Sequence, residues 1–399
     1  MPPSLTELEA RLDVLCDSMG SHAIELRNHL HRNPELSWEE HETQAHIKGW
    51  LADLGLSAKS AAKTGLYVDI GEGEAPVVYR ADIDALPIDT SGMSRSILST
   101  RPGVSHSCGH DVHATVGAGV AAVFQAIRDD LPGRVRVVFQ PAEEVVPSGG
   151  EALVEEGVLD GMKAAFALHV DPLFDVGSIG VRAGCLTAAS DKFTVNIEGQ
   201  SGHGARPYLA NDALLAATEV VRAFTGLVRE HVNPTESAVV TVGLIRAGDA
   251  DNVVAGQAHM AGSIRTFSPE VRTKIQDEMR RIIRLSAELH NCTGSLGILQ
   301  GAPSIVNSPF LDNIVRNVGR EFLGARKVHE LLHPSTGSED FGIIGTCGPV
   351  YMLRLGVRTP GEKVAHLHTP EFFADERAVG VGIKLMSRIV LRALFARLP

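Results

Sequence analysis

The chain has 399 residues, 44% of them hydrophobic and 21% charged, with a formal net charge of −11. That length exceeds what one hydrophobic core usually fills, so two domains are expected. The acidic balance speaks against nucleic acid or an anionic membrane as partner, since both reward basic patches. No stretch approaches the roughly 18 uninterrupted apolar residues of a membrane span.

The opening "MPPSLTELEARLDVL" lacks the basic stretch and apolar core of a secretion signal, so a cytoplasmic location is expected. Leu8, Leu12 and Leu15 recur at helical spacing, and the helical pattern runs to about Leu54. Asn33-Pro34 interrupts it as a turn. Ser37 followed three residues later by Glu40 reads as a capping box for the next helix. "APVVYRADIDALP" reads as a strand. From Asp111 the pattern is helical again until Pro132-Gly133, with Asp111 expected to cap it. "RVRVVFQPAEE" is a second strand, "GGEALVEEGVL" a short helix, and "AAFALHVDP" a third strand stopped by Pro172.

Strands alternating with helices imply an α/β fold with a mostly parallel sheet. In such sheets ligands bind beyond the C-terminal strand ends. The texture changes near Gly184. "AASDKFTVNIEGQSGHGARP" alternates like an antiparallel strand, and the elements to His290 read β-α-β-β-α. We therefore expect a discontinuous domain, residues 1–183 and 301–399, interrupted by a two-layer α+β unit over 184–300.

The five cysteines, Cys16, Cys108, Cys185, Cys292 and Cys347, are scattered without a CxxC, which suits reduced thiols. Only Cys108 sits among other potential ligands, in "HSCGHDVHA" (residues 106–114); the rest read as small buried hydrophobes. Residues at i and i+2 point about 200° apart on a helix, but a turn at Gly109 would let Cys108 and His110 converge. Thiolate and imidazole are both good zinc ligands. A polar loop, or a cysteine nucleophile with a histidine base, would use the same residues.

Glu143 and Glu144 follow a buried-looking strand, where two adjacent carboxylates point different ways. One can coordinate a metal while the other takes a proton from water; a solvated acidic turn has the same sequence. His169 ends an apolar strand, where histidine serves either as a core residue or as a ligand. His366 and His368 share a face of an extended segment. Together these segments could hold two metal ions that share one ligand.

In order and spacing, "HRNPELSWEEHET", "RADIDALP", "SCGHD", "FQPAEE", "ALHV", "GHGARP", "GSIRTF", "SEDF" and "HTPEF" resemble the amidohydrolase branch of the aminoacylase and carboxypeptidase metallopeptidases. The resemblance runs from about Leu26 to the C-terminus. It implies a metallopeptidase catalytic domain with an inserted lid and dimerisation domain. It implies two divalent ions per subunit, zinc foremost, with manganese, cobalt or nickel fitting the same cage. Cys108 would bridge them, His110 and His169 would bind one, and Glu144 and His368 the other. Glu143 would be general base and then acid. His203 would reach across a homodimer, or a dimer-based tetramer, to steady the oxyanion. Asn252 and Arg265 would meet the substrate carboxylate.

Where the wider clan has His-x-Asp, this chain has Asp82-Ile83-Asp84. Asp84 would orient a metal ligand from behind, and Asp82 acquires no role. The stretch 89–99, "DTSGMSRSILS", also departs from the branch pattern. The implied activity is hydrolysis of an N-acyl amino acid amide. The alternatives are a dipeptidase or deacetylase of a related amide, a hydrolase with Cys108 as nucleophile, and a metal-binding protein without catalysis.

Overall fold

A largely parallel sheet forms the centre of the first unit. Its strands run in the order Lys59–Ala61, Gly65–Ile70, Val135–Gln140, Val77–Asp82, Ala164–Asp175, Val350–Arg358, Val306–Asn307 and Gly184–Cys185. The pairs between Val135–Gln140 and Val77–Asp82, Val77–Asp82 and Ala164–Asp175, and Ala164–Asp175 and Val350–Arg358 are all parallel. The computed structural model describes residues 3–397, so the outermost positions of the expected 1–183 and 301–399 domain lie outside the described residues.

The central strands are buried on both faces, as parallel strands covered by helices must be. Tyr79, Phe139, Phe166 and Leu353 pack with Leu8, Leu26, Phe124, Leu311 and Ile389 from the helices of one face. The intervening Val78, Val138, Ala165 and Met352 pack with Leu153, Leu159, Phe341 and Ile344 on the other. Each large side chain buried there stabilises the unit by on the order of 1.5–3 kcal/mol. The helix His110–Ala126 is buried around nearly its whole circumference. This first unit comprises residues 1–186, 305–333 and 340–399.

The second unit comprises residues 187–304 and 334–339. Its antiparallel sheet has the order Ala238–Ala247, Gln257–Thr266, Ala189–Glu198 and Thr293–Gln300. Along Ala189–Glu198 burial alternates, sending Phe193, Val195 and Ile197 inward. They meet Val220 and Phe224 of the helix Ala213–His231 and Ile275, Met279 and Ile283 of the helix Pro269–Leu289. Asp212 and Ser268 cap these helices through their side chains. The final strand, Thr293–Gln300, extends the β-α-β-β-α pattern by one element. Among the described residues no helix is long and apolar enough to cross a membrane.

Several local expectations are corrected. The third strand does not stop at Pro172 but continues to Asp175. Its ladder with Val77–Asp82 ends at the Arg80–Ala167 pair. Val170 N–H points to that side, and residues two apart present their N–H groups alike. Pro172 thus lacks a donor where no neighbouring strand needs one. Ser37 does not cap the helix His41–Asp53; its hydroxyl donates to Asp84 Oδ2 at 2.8 Å, and Glu40 is buried, accepting from Thr64 Oγ1. Asp111 forms no cap either, since the cap position of its helix is Gly109. Cys185 and Cys347 are half-buried rather than fully buried.

Candidate metal centre

Four segments deliver polar side chains to the C-terminal edge of the parallel strands. Asp82 ends Val77–Asp82 and Asp84 follows it, and Glu143 and Glu144 follow Val135–Gln140. His169 lies midway along Ala164–Asp175, two residues past the end of its ladder with Val77–Asp82. Cys108 and His110 flank Gly109 at the head of His110–Ala126. Gly109 has φ 83, and a Cβ there would lie 2.4 Å from Val170 Cγ2. Only glycine fits both the turn and the close approach. His368, in the loop after Val350–Arg358, also has a left-handed backbone with φ 61, and its N–H donates to Ser107 O at 2.8 Å.

These side chains converge. Cys108 Sγ lies 3.5 Å from His169 Nε2 and 3.3 Å from His368 Nε2. His368 Nε2 is 3.2 Å, and His110 Nε2 3.9 Å, from Glu144 Oε1. Two triads of potential ligand atoms result, Cys108–His110–His169 and Cys108–Glu144–His368, with every atom of a triad within 4.8 Å of the others. Cys108 belongs to both. Glu143 groups with His110 and Glu144, and its Oε1 accepts from Asp340 N–H at 3.4 Å. His366 is exposed and stands outside both triads.

The donor set fits divalent ions. His110 Nε2 is buried without a hydrogen-bond partner, and the buried Glu144 Oε1 faces the His110 and His368 rings, an expensive arrangement for polar atoms that no cation satisfies. The opposite ring atoms are committed. His110 Nδ1 contacts Asp84 O at 2.9 Å and Asp84 Oδ1 at 3.1 Å, and His169 Nδ1 contacts Val170 O at 2.8 Å. Each Nε2 is thereby turned toward the cluster as a candidate ligand atom, the arrangement usual behind metal-bound histidines. Asp84 Oδ2 also accepts from Glu144 N–H at 3.1 Å.

Electrostatics follow burial. Desolvation pushes the Cys108 thiol up to about 12, the reverse of what an unassisted nucleophile needs. Desolvation also holds His169 well below its ordinary value, keeping the ring neutral. The Glu144 carboxylate, which lies 3.2 Å from His368 Nε2, raises His368.

Residues that sequence reading left without a role, or gave a different one, surround this cluster. Asp82 Oδ1 takes His113 Nδ1–H at 2.6 Å, and Asp82 Oδ2 takes Arg80 Nη1–H at 2.6 Å. Burial would push the Asp82 carboxyl up, but His110, His113 and Arg80 more than offset it and hold the group well below the usual range. Asp111 Oδ2 lies 2.9 Å from Arg27 Nε and 2.8 Å from His31 Nδ1. Arg95, in the 89–99 stretch, donates to the Phe372 carbonyl and stands over the Phe373 ring, 5.3 Å from its centroid. This ties that stretch to the segment following His368.

The second unit carries the other expected residues. His203 and Asn252 adjoin across a two-stranded ribbon: His203 pairs with Val253, Gly204 N–H donates to Asn252 O at 2.7 Å, and both side chains are exposed. Arg265 belongs to a different sheet. It is half-buried on the four-stranded sheet, opposite Ser190 and Val239.

A parallel α/β sheet that gathers thiol, imidazole and carboxylate donors beyond its strand ends defines a hydrolase with a candidate metal centre. The chain belongs to peptidase family M20/M25/M40, whose model matches residues 78–392. It is 35% identical to an N-acetyl-L-cysteine deacetylase of Bacillus subtilis, over 94% of this chain and 89% of the relative. It is 34% identical to the IAA-amino acid hydrolase ILR1-like 5 of Arabidopsis thaliana, over 93% and 86%. Among solved structures it matches a dinuclear metal-binding peptidase of the M20 family from Bacillus subtilis, at a TM-score of 0.82 and 30% identity, over 95% of this chain and 99% of that one.

Proposed function

We propose that this chain is a metal-dependent amidohydrolase that cleaves the amide bond of an N-acyl amino acid. The observation that carries the reading is the pair of donor triads sharing Cys108, with Glu143 beside them. Cys108, His110 and His169 would hold one divalent ion, and Cys108, Glu144 and His368 a second. The thiol and imidazoles favour zinc by softness, while manganese, cobalt or nickel would fit the same donors. Bound there, the ions supply Lewis acidity, polarising the scissile carbonyl and acidifying water.

The chain's own residues do the rest. Glu143 accepts the proton of the attacking water and returns it to the leaving amine nitrogen. Asp340 N–H donates to Oε1 of that carboxylate and steadies it. His203, contributed across a homodimer as the family resemblance implies, donates to the developing oxyanion. Asn252 and Arg265 receive the substrate carboxylate. The relatives named for N-acetylcysteine deacetylation and IAA-amino acid hydrolysis support this substrate class.

The test is chelation, reconstitution with each metal, and assay of amino acid release from N-acetyl, N-benzoyl and arylacetyl amino acids. Activity that vanishes on chelation and returns with metal supports the proposal. Activity that survives chelation would leave Cys108 as the nucleophile. A loaded protein inert on the whole panel would redirect the search to dipeptides and other amides.

A further inference from the structure

Asp82 and His113 stand in the cluster without serving either triad. With His110 they form a third group of candidate ligands, but their atoms are already spent. Asp82 is held by Arg80 and His113, and His113 Nε2 accepts from Val170 N–H at 2.9 Å. That acceptor role places the ring proton on Nδ1, where it faces Asp82.

The site of the Val170 contact gives the arrangement its meaning. The strand Ala164–Asp175 is paired with Val77–Asp82 only from Val77–Ala164 to Arg80–Ala167. Beyond that point the two strands no longer pair, and Val170 N–H would be buried without a partner. The His113 ring fills the missing place in the ladder. Val170 in turn supplies the carbonyl that takes His169 Nδ1 and aims Nε2 at Cys108. His113 sits one helical turn after His110, so one helix face sends a ring to each ligand-bearing element. The His113 ring centroid lies 5.3 Å from that of His110 and 4.9 Å from that of His169.

Arg80 anchors the chain. Its Nη1 donates to Asp82 at 2.6 Å, its Nη2 to Asp340 Oδ1 at 2.7 Å and its Nε to Gln140 Oε1 at 2.9 Å. A guanidinium fixed by several acceptors leaves Asp82 little freedom to swing. Arg80, Asp82 and His113 are each no more than 1% exposed.

We propose that Arg80, Asp82 and His113 are positioning residues that complete the sheet at Val170 and thereby fix His169 as a metal ligand. The inference rests on the reading of Cys108, His110 and His169 as the ligands of one ion. It assigns a purpose to the aspartate that stands where the wider clan has a histidine.

The test is metal binding rather than turnover. His113→Asn keeps an amide donor near Asp82 but has no atom that reaches Val170 N–H. Stripped wild-type and variant proteins are titrated with zinc against a competing chelator and with cobalt(II), whose spectrum reports the ligand geometry. Melting of the stripped proteins is followed in parallel.

In the variant, one of the two ions should bind about 10–100-fold more weakly, the cobalt spectrum of that site should change, and the other ion should keep its affinity. A variant that melts lower when stripped, yet binds both ions with wild-type affinity and spectrum, would overturn the proposal and leave only a structural role. Should His113→Asn not fold, Arg80→Lys keeps the charge without the fork and carries the same test, with selective weakening of one ion supporting the idea and unchanged affinities overturning it. A wild-type protein that binds fewer than two ions would instead defeat the two-ion reading itself.

Discussion

Asp84 meets His110 twice, through its carbonyl oxygen at 2.9 Å and its carboxylate Oδ1 at 3.1 Å from the same Nδ1. The second carboxylate oxygen takes the Glu144 amide and the Ser37 hydroxyl. One buried carboxylate thus orients a proposed ligand of each ion. Asp84→Asn keeps the volume but sets an amide donor against the Glu144 N–H. Metal affinity should fall by about 10–100-fold, read by competition with a chromogenic chelator. Unchanged affinity would mean that packing alone aims His110.

Glu143 lies beside the donor cluster, grouped with His110 and Glu144, while Glu144 contacts His368. Its proposed work is proton transfer, which Gln cannot perform. Glu143→Gln should lower kcat by about 10²–10⁴-fold, while elemental analysis finds the wild-type metal content. Loss of metal together with turnover would move Glu143 into the ligand set. Wild-type turnover would sink the base assignment.

The sequence made the cluster legible because its members lie in short motifs at strand ends, where a parallel sheet opens. The alternation of Ala189–Glu198 made the second sheet legible in the same way. What was not legible depends on partners far along the chain. Asp111 looked like a helix cap from its position alone, but Arg27 and His31, about 80 residues earlier, claim its carboxylate. Ser37 and Glu40 had the spacing of a capping box, and tertiary partners at Asp84, Thr64 and Ala142 took both side chains. The strand end at Pro172 was misplaced because no local rule reveals which side of a strand lacks a neighbour. Asp82 and His113 were opaque for the same reason, since their meaning lies at Val170.

Gly109 carries a prediction of its own. Its positive φ costs a residue with a Cβ about 1–2 kcal/mol, and the Cβ would meet Val170 and Phe372 side chains. Gly109→Ala should therefore lower the melting temperature and weaken metal binding together, because the same turn brings Cys108 and His110 into convergence. Calorimetry of stripped and loaded protein separates the two effects. A variant that melts lower but binds metal normally would show that the turn reforms around the methyl group.

The buried Arg27–Asp111 pair should govern acid stability. Burial alone would push the Asp111 carboxyl up, but the Arg27 charge and then the His31 hydrogen bond hold it well below the usual carboxylate range. A carboxyl whose folded pKa lies below its unfolded value, about 3.9, stabilises the fold fully above that value. The contribution fades as pH falls through the folded pKa. Arg27→Met keeps much of the packing against Phe373 but strands Asp111 with His31, at a cost of about 3–5 kcal/mol near neutral pH. Melting temperatures of chelator-stripped wild type and variant, taken from pH 7 down to pH 3, should show the widest gap at neutrality and a narrowing one in acid, as protonation of Asp111 removes the stranded charge. A gap that stays constant with pH would place the loss in packing against Phe373 rather than in the ion pair.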